Sequence, residues 1–217
     1  MNSGTIDDEL MWLCRSAVKA TGVTSCGVTM VTNAGQSVTA HASDTRTGAV
    51  EDLQHTLGEG PGVAASDSGA AVLVPDLADV KDPTLERWPT FANEAVEMGI
   101  RAAFAFPLLL GTSSVGALSF YRTRAGAMSP EGVTQARVAA DAVAMSLADP
   151  GEVVPAIAQL DPMRVHQAAG MVTVQLGVPI DQALLRMRAA AFAEGLSVDE
   201  LADAIVERRR RLSKEDS

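Results

Sequence analysis

Ala103-Phe104-Ala105-Phe106-Pro107-Leu108-Leu109-Leu110, then Gly111-Thr112-Ser113-Ser114, then Val115-Gly116-Ala117-Leu118-Ser119-Phe120-Tyr121 is the stretch on which the fold turns. Two apolar runs, each carrying aromatic residues, flank a short Gly/Ser loop, the pattern of an antiparallel strand pair. Working upstream, Ala71 to Val74 reads as a further strand. So do Cys26 to Val31 and Val38 to Ala42, with Asn33-Ala34-Gly35 supplying the positive φ of a tight turn between them. Ile6 to Ala20 reads as a helix with Leu10, Leu13, Ala17 and Val18 on one face. Downstream, Ser129-Pro130 is an N-cap followed by a first-turn proline, opening a helix over Glu131 to Leu147. The small apolar residues on several sides of that helix suit packing on the sheet and against a partner helix. The expected class is α+β, an antiparallel sheet flanked by helices.

The texture changes at Asp149-Pro150-Gly151, a turn cluster. We place a domain boundary there, giving modules 1–150 and 151–217. Asp161-Pro162 opens a helix that runs to Leu176 and is ended by Gly177. A second helix follows Pro179, with Ile180, Ala183, Leu184, Met187 and Ala191 as its stripe, and ends near Gly195. Ser197-Val198-Asp199-Glu200 is a capping box that starts a third. Three short amphipathic helices are expected to bury their stripes against one another.

The 217 residues carry 27 Asp+Glu against 17 Lys+Arg, a net charge of −10. The acidic excess sits almost wholly in the first module, while Arg208-Arg209-Arg210-Arg211 lies near the end of the second. A polyanion is repelled by the former, so any nucleic-acid contact belongs to the latter. The acidic Thr5-Ile6-Asp7-Asp8-Glu9 is unlike a secretory signal, and the apolar run Ala102 to Leu110 is far below the ~18 residues of a membrane span. A soluble cytoplasmic protein with no membrane contact is expected.

No catalytic constellation stands out. Gly58-Glu59-Gly60-Pro61-Gly62 lacks the Gly-Lys-Ser/Thr of a phosphate loop, and Pro61 removes a donor, so it reads as a turn into a helix. His41, His55 and His166 are far apart and take ordinary structural or surface roles. Asp76, Asp79 and Asp82 lack the bidentate Glu of a calcium loop and read as solvated. Cys14 and Cys26 allow a redox pair, but buried inert thiols are the expectation. No metal, cofactor or enzymatic activity is expected.

Arg164-Val165-His166-Gln167-Ala168-Ala169-Gly170-Met171-Val172-Thr173-Val174-Gln175-Leu176-Gly177-Val178, with Ala183-Leu184, Leu185-Arg186-Met187-Arg188-Ala189 and Leu201-Ala202-Asp203-Ala204-Ile205-Val206, closely resembles the ANTAR domain. The resemblance implies a three-helix RNA-binding module that controls transcription termination. Leu57-Gly58-Glu59-Gly60-Pro61, Val72-Leu73-Val74-Pro75-Asp76-Leu77, Arg87-Trp88-Pro89 and Ala105-Phe106-Pro107-Leu108 resemble a GAF domain, which implies a sensory or dimerising fold. Ala169 stands where many ANTAR domains carry a lysine, and Gly62 where related GAF domains often carry a cysteine.

Together these imply an antitermination regulator whose C-terminal helices hold a hairpin in nascent RNA and so block the competing terminator. Arg164, Arg186, Arg188 and Arg208 are the expected phosphate contacts, and Gln167 an amide contact to base or sugar. A homodimer through Glu131 to Leu147 and the linker would present two such modules, and an unidentified small molecule is the expected signal. Two other readings are kept. One is a thiol-dependent methionine sulfoxide reductase using Cys14 and Cys26; the other is DNA binding with Ser197 to Arg211 as recognition helix.

Overall fold

The structure is a computed structural model that describes residues 6–31, 37–79, 81–148 and 162–213. The Asn33-Ala34-Gly35 turn, the Asp161 cap and the segment holding the expected domain boundary lie outside the described residues. Helix α1 (Ile6–Thr21) leads to β1 (Ser25–Val31) and β2 (Ser37–Ala42). Helices α2 (Thr45–Leu57) and α3 (Pro61–Ser68) follow, then β3 (Val72–Val74), a 3-10 turn at Leu85–Arg87 and α4 (Pro89–Glu97). Strands β4 (Ala102–Leu110) and β5 (Ser113–Arg122) and helix α5 (Pro130–Ser146) complete the N-terminal module. Beyond it come α6 (Pro162–Leu176), α7 (Ile180–Glu194) and α8 (Val198–Val206).

The sheet has five strands in the order β2-β1-β5-β4-β3, each pairing antiparallel. The hairpin β4–β5 lies near its centre, with Phe104 opposite Phe120 and Phe106 opposite Leu118. Its turn is tighter than the sequence suggests. Ser113 and Ser114 pair with Leu110 and Leu109, because Gly111 at φ 64° reverses the chain almost at once. At Gly116 a side chain is excluded, since a Cβ there would meet the Thr29 carbonyl at 2.0 Å.

Strand alternation sorts the two faces. Cys26, Val28, Met30, Phe104, Phe106, Leu118 and Phe120 point to one side, under α1 and α5. Ala103 and Tyr121 point to the other, where they meet Val50 and Leu53 of α2 and Phe91 and Ala95 of α4. Burying a large apolar side chain of this kind contributes roughly 1.5–3 kcal/mol, so the layers hold each other. Ser129 caps α5 as expected, its Oγ accepting from Gly132 N at 3.1 Å, with Pro130 in the first turn.

Helices α6, α7 and α8 share a separate core built on Val165, Ala168, Val172, Met187, Leu201 and Ile205. Both halves of the capping box form: Glu200 N donates to Ser197 Oγ at 3.1 Å and Ser197 N donates to Glu200 Oε2 at 2.8 Å. One expectation needs correcting. These helices do not pack only on one another, because α7 also packs against α2 of the N-terminal module. Among the described residues no helix is long and apolar enough to cross a membrane.

Candidate functional site

Helix α2 begins at Asp44, whose carboxylate accepts from Thr47 N at 2.7 Å, and ends at Gly58 with φ 68°. Its buried side mixes the apolar Val50 and Leu53 with the polar Thr47, Glu51, Gln54 and Thr56. Glu51 is buried, and its carboxylate accepts from Tyr121 Oη at 2.8 Å, Thr29 Oγ1 at 2.8 Å and Gln54 Nε2 at 3.2 Å. Gln54 Nε2 also donates to Tyr121 Oη at 2.9 Å, while its Oε1 accepts from Gly62 N at 2.7 Å. Burial pushes the Glu51 carboxyl up from its ordinary range, against the pull of the Tyr121 and Thr29 hydroxyls.

Glycines make the space. A Cβ on Gly27 would lie 2.5 Å from Glu51 Oε1, and one on Gly60 would lie 2.5 Å from Gln54 Oε1. The cavity beside these groups is lined by Thr29, Glu51, Gln54, His55, Gly62 and Ser66 among others, and measures only about 10 Å³. The protein's own side chains fill it.

On the C-terminal module, a cleft of about 600 Å³ lies between α6 and the arm that follows α8. Gln167, Val174 and Gln175 line one side, and Arg208, Arg210 and Arg211 the other. The arm is fixed by its backbone. Arg208 takes φ 60°, the amides of Arg209 and Arg210 both donate to the Ala204 carbonyl, and Leu212 is 2% exposed in the helical core. Gln175 Nε2 donates to the Leu212 carbonyl, closing the arm onto α6.

The sequence-expected contacts separate in space. Gln167 and Arg208 share the cleft. Arg164 Nε lies 3.6 Å from Asp203 Oδ1, half-buried. Arg186 is half-buried on α7. Arg188 lies apart, over the end of α2: a Cβ on Gly58 would sit 2.8 Å from its Nη1. Of the remaining arginines, Arg209 pairs with Glu207 at 2.7 Å and Arg210 with Glu194 at 2.6 Å. Position 169 is wholly buried in the helical core. Ala169 therefore takes no cation away from this surface.

Around Arg188 the two modules meet. His55 Nε2 stands 3.6 Å from Asp199 Oδ2, and Val198 N donates to Thr56 Oγ1 at 3.3 Å. Burial, then the Arg188 charge, pushes His55 down to about 4. Burial also lowers Arg188 and raises Asp52 and Asp199, the last two with neighbouring acidic charges adding to it. Of the two roles expected for it, His55 thus takes the structural one, mostly buried at the junction.

Residues 6–148 match the GAF domain family. The chain belongs to that family. The GAF fold is shared with a domain of a protein described as a two-component sensor histidine kinase from Sinorhizobium meliloti 1021, at 15% identity and a TM-score of 0.53, covering 67% of this chain and 92% of that one. It is shared too with the GAF domain of an Acinetobacter phosphoenolpyruvate-protein phosphotransferase, at 12% identity and a TM-score of 0.52, covering 68% and 84%. A type II free methionine-R-sulfoxide reductase from Thermoplasma acidophilum aligns at 14% identity and a TM-score of 0.49, covering 65% and 92%. At identities this low the first two likenesses speak for the fold alone. Among curated proteins none matches the chain.

Within the GAF domain, Cys14 and Cys26 are neighbours, with Cys26 Sγ 3.6 Å from the Cys14 carbonyl. Both are buried under α1 and α5, on the sheet face opposite the polar cavity. The adjacent Cys14 thiol, then burial, pushes the Cys26 thiol far up, away from the reactive thiolate. Asp76 forms a bidentate pair with Arg101, at 2.8 and 2.9 Å from Nη2. Among the described residues no group of three or more His, Cys, Asp or Glu is placed to hold a metal. The GAF residues that reading by motif misses are Thr29, Glu51, Gln54 and Tyr121. The one trace of them in the sequence is the glycine set at 27, 60 and 62 that clears their space.

Proposed function

We propose that the protein is an RNA-binding transcription antitermination regulator, in which the GAF domain senses a small molecule or dimerises and the C-terminal helices hold hairpins in nascent RNA. The observation that carries this is the cleft in which Gln167 faces Arg208 and Arg211, on the module whose sequence resembles an ANTAR domain. Its rim is cationic and its wall offers amides, the combination that positions phosphates and hydrogen-bonds an unpaired base or sugar. Exposed ion pairs such as Arg209–Glu207 contribute little to stability, so a phosphate can replace the carboxylate at small cost. The DNA reading is less well served, because α8 carries Asp199, Glu200 and Asp203 along its length. The thiol reductase reading lacks an accessible nucleophile at Cys14 or Cys26.

Dimerisation fits α5, which leaves Val138 and Met145 59% and 75% exposed two turns apart. The test of the RNA reading begins with crosslinking in cells and sequencing of the bound transcripts. The recovered stem-loops are then used in gel shifts with Arg208→Ala and Gln167→Ala. Each variant is expected to lose about 1–2 kcal/mol of affinity, with a shallower salt dependence for Arg208→Ala. Unchanged affinity in both removes this surface from the mechanism.

A further inference from the structure

Helix α2 has two working sides within its last two turns. Glu51 and Gln54 face the sheet, where they occupy the polar cavity with Tyr121 and Thr29. His55, Thr56 and the Gly58 cap face the C-terminal bundle, where they meet Asp199, Val198 and Arg188. Two geometric facts link the sides. The cavity is nearly full, so a molecule entering it has to displace Gln54 or Glu51. Those side chains are carried by the same turns that hold the bundle, and packed elements pass displacements on because they have few alternative arrangements.

We propose that the bundle's seat on the end of α2 is a latch that covers Arg188, and that displacement of the Glu51–Gln54 cluster by a small polar ligand opens it. In the closed form the Arg188 guanidinium lies over Gly58, which can receive it because glycine has no Cβ. The same glycine provides the left-handed turn that ends α2, so helix end and latch share one residue. Opening frees Arg188 and separates the acidic GAF domain from the bundle, and both changes favour a polyanion. The hydrogen-bonding character of Glu51, Gln54, Thr29 and Tyr121 selects a ligand with donor groups for the carboxylate, such as an amine or amide. The functional meaning of the latch rests on the RNA reading above, but its existence does not.

The experiment reads the latch without RNA. Phenylglyoxal labelling of Arg188 in the full chain is mapped by mass spectrometry in three variants. Asp199→Arg replaces the carboxylate beside His55 with a cation at an exposed helix position, on the seam where His55 also feels the Arg188 charge, and labelling is expected to rise about tenfold. Tyr121→Phe removes the hydroxyl between Glu51 and Gln54 without touching the bundle, and a rise of about threefold is expected. Thr29→Val, which removes another donor to Glu51 at constant shape, replaces Tyr121→Phe where that variant does not fold by circular dichroism. Unchanged labelling in Asp199→Arg overturns the latch. A rise there with none in the folded cavity variant overturns its control from the cavity. Binding of bulk tRNA at low salt is measured alongside: a labelled, open Asp199→Arg protein with unaltered tRNA affinity leaves the latch standing and counts against the RNA reading.

Discussion

His55 shows how much a single mostly buried side chain can decide. It faces Arg188 from α7 and Asp199 from α8, with Asp52 on its own helix, and is held neutral with its pKa near 4. In the unfolded chain a histidine takes up a proton near pH 6.5, so the unfolded state gains protons first as pH falls. Stability is therefore full above about pH 6.5, declines toward pH 4 and levels off below it, with up to about 2 kcal/mol lost at pH 5. Glu51 acts in the opposite sense, because its raised carboxyl favours the folded state at low pH and withdraws that contribution as pH rises. Urea titrations at pH 7 and pH 5 check the His55 effect: His55→Gln is expected to flatten the decline, and an equal decline in both proteins would assign it elsewhere. None of this is visible in the sequence, where one histidine before Thr56 and Leu57 carries no sign of burial.

Among the elements, strands and caps were legible and the buried side of α2 was not. The β4–β5 hairpin announces itself through apolar runs around Gly111, and Ser129-Pro130 and Ser197–Glu200 mark helix starts whose hydrogen bonds form as read. Helix α2 escapes such reading because its buried side includes Thr47, Glu51, Gln54 and Thr56, which blur the apolar stripe that periodicity relies on. Local capping chemistry is written in neighbouring residues, whereas a polar buried face depends on partners such as Tyr121 far along the chain. Helix α5 invites its own test. Its exposed Val138 and Met145 suit a symmetric helix contact, so Val138→Asp with Met145→Asp is expected to convert a dimer to monomers at unchanged helical content. Sedimentation of both proteins checks this, and a double variant that stays dimeric would excuse α5 from the interface.

At the scale of the whole molecule there are two modules with separate apolar cores, joined by a few polar contacts at the end of α2. Such a seam transmits little cooperativity, and the smaller helical module has the smaller core to defend. Thermal unfolding is therefore expected in two steps, the bundle first. Trp12 and Trp88 both lie in the GAF domain, so tryptophan fluorescence reports only the later step while far-ultraviolet circular dichroism reports both. Coincident transitions by the two probes would mean the modules unfold as one. The site, too, divides at this scale. Counting arginines singles out the second module, yet only the fold reveals that Arg188 is withdrawn from the others and that Arg208 and Gln167 stand together.

The tucked leucine at position 212 has a practical corollary. Shortening the protein just after Arg211 would preserve its entire complement of guanidinium groups while cutting away the hook that fixes their spacing. Such a protein would carry every one of its arginines on an arm with nowhere to fasten.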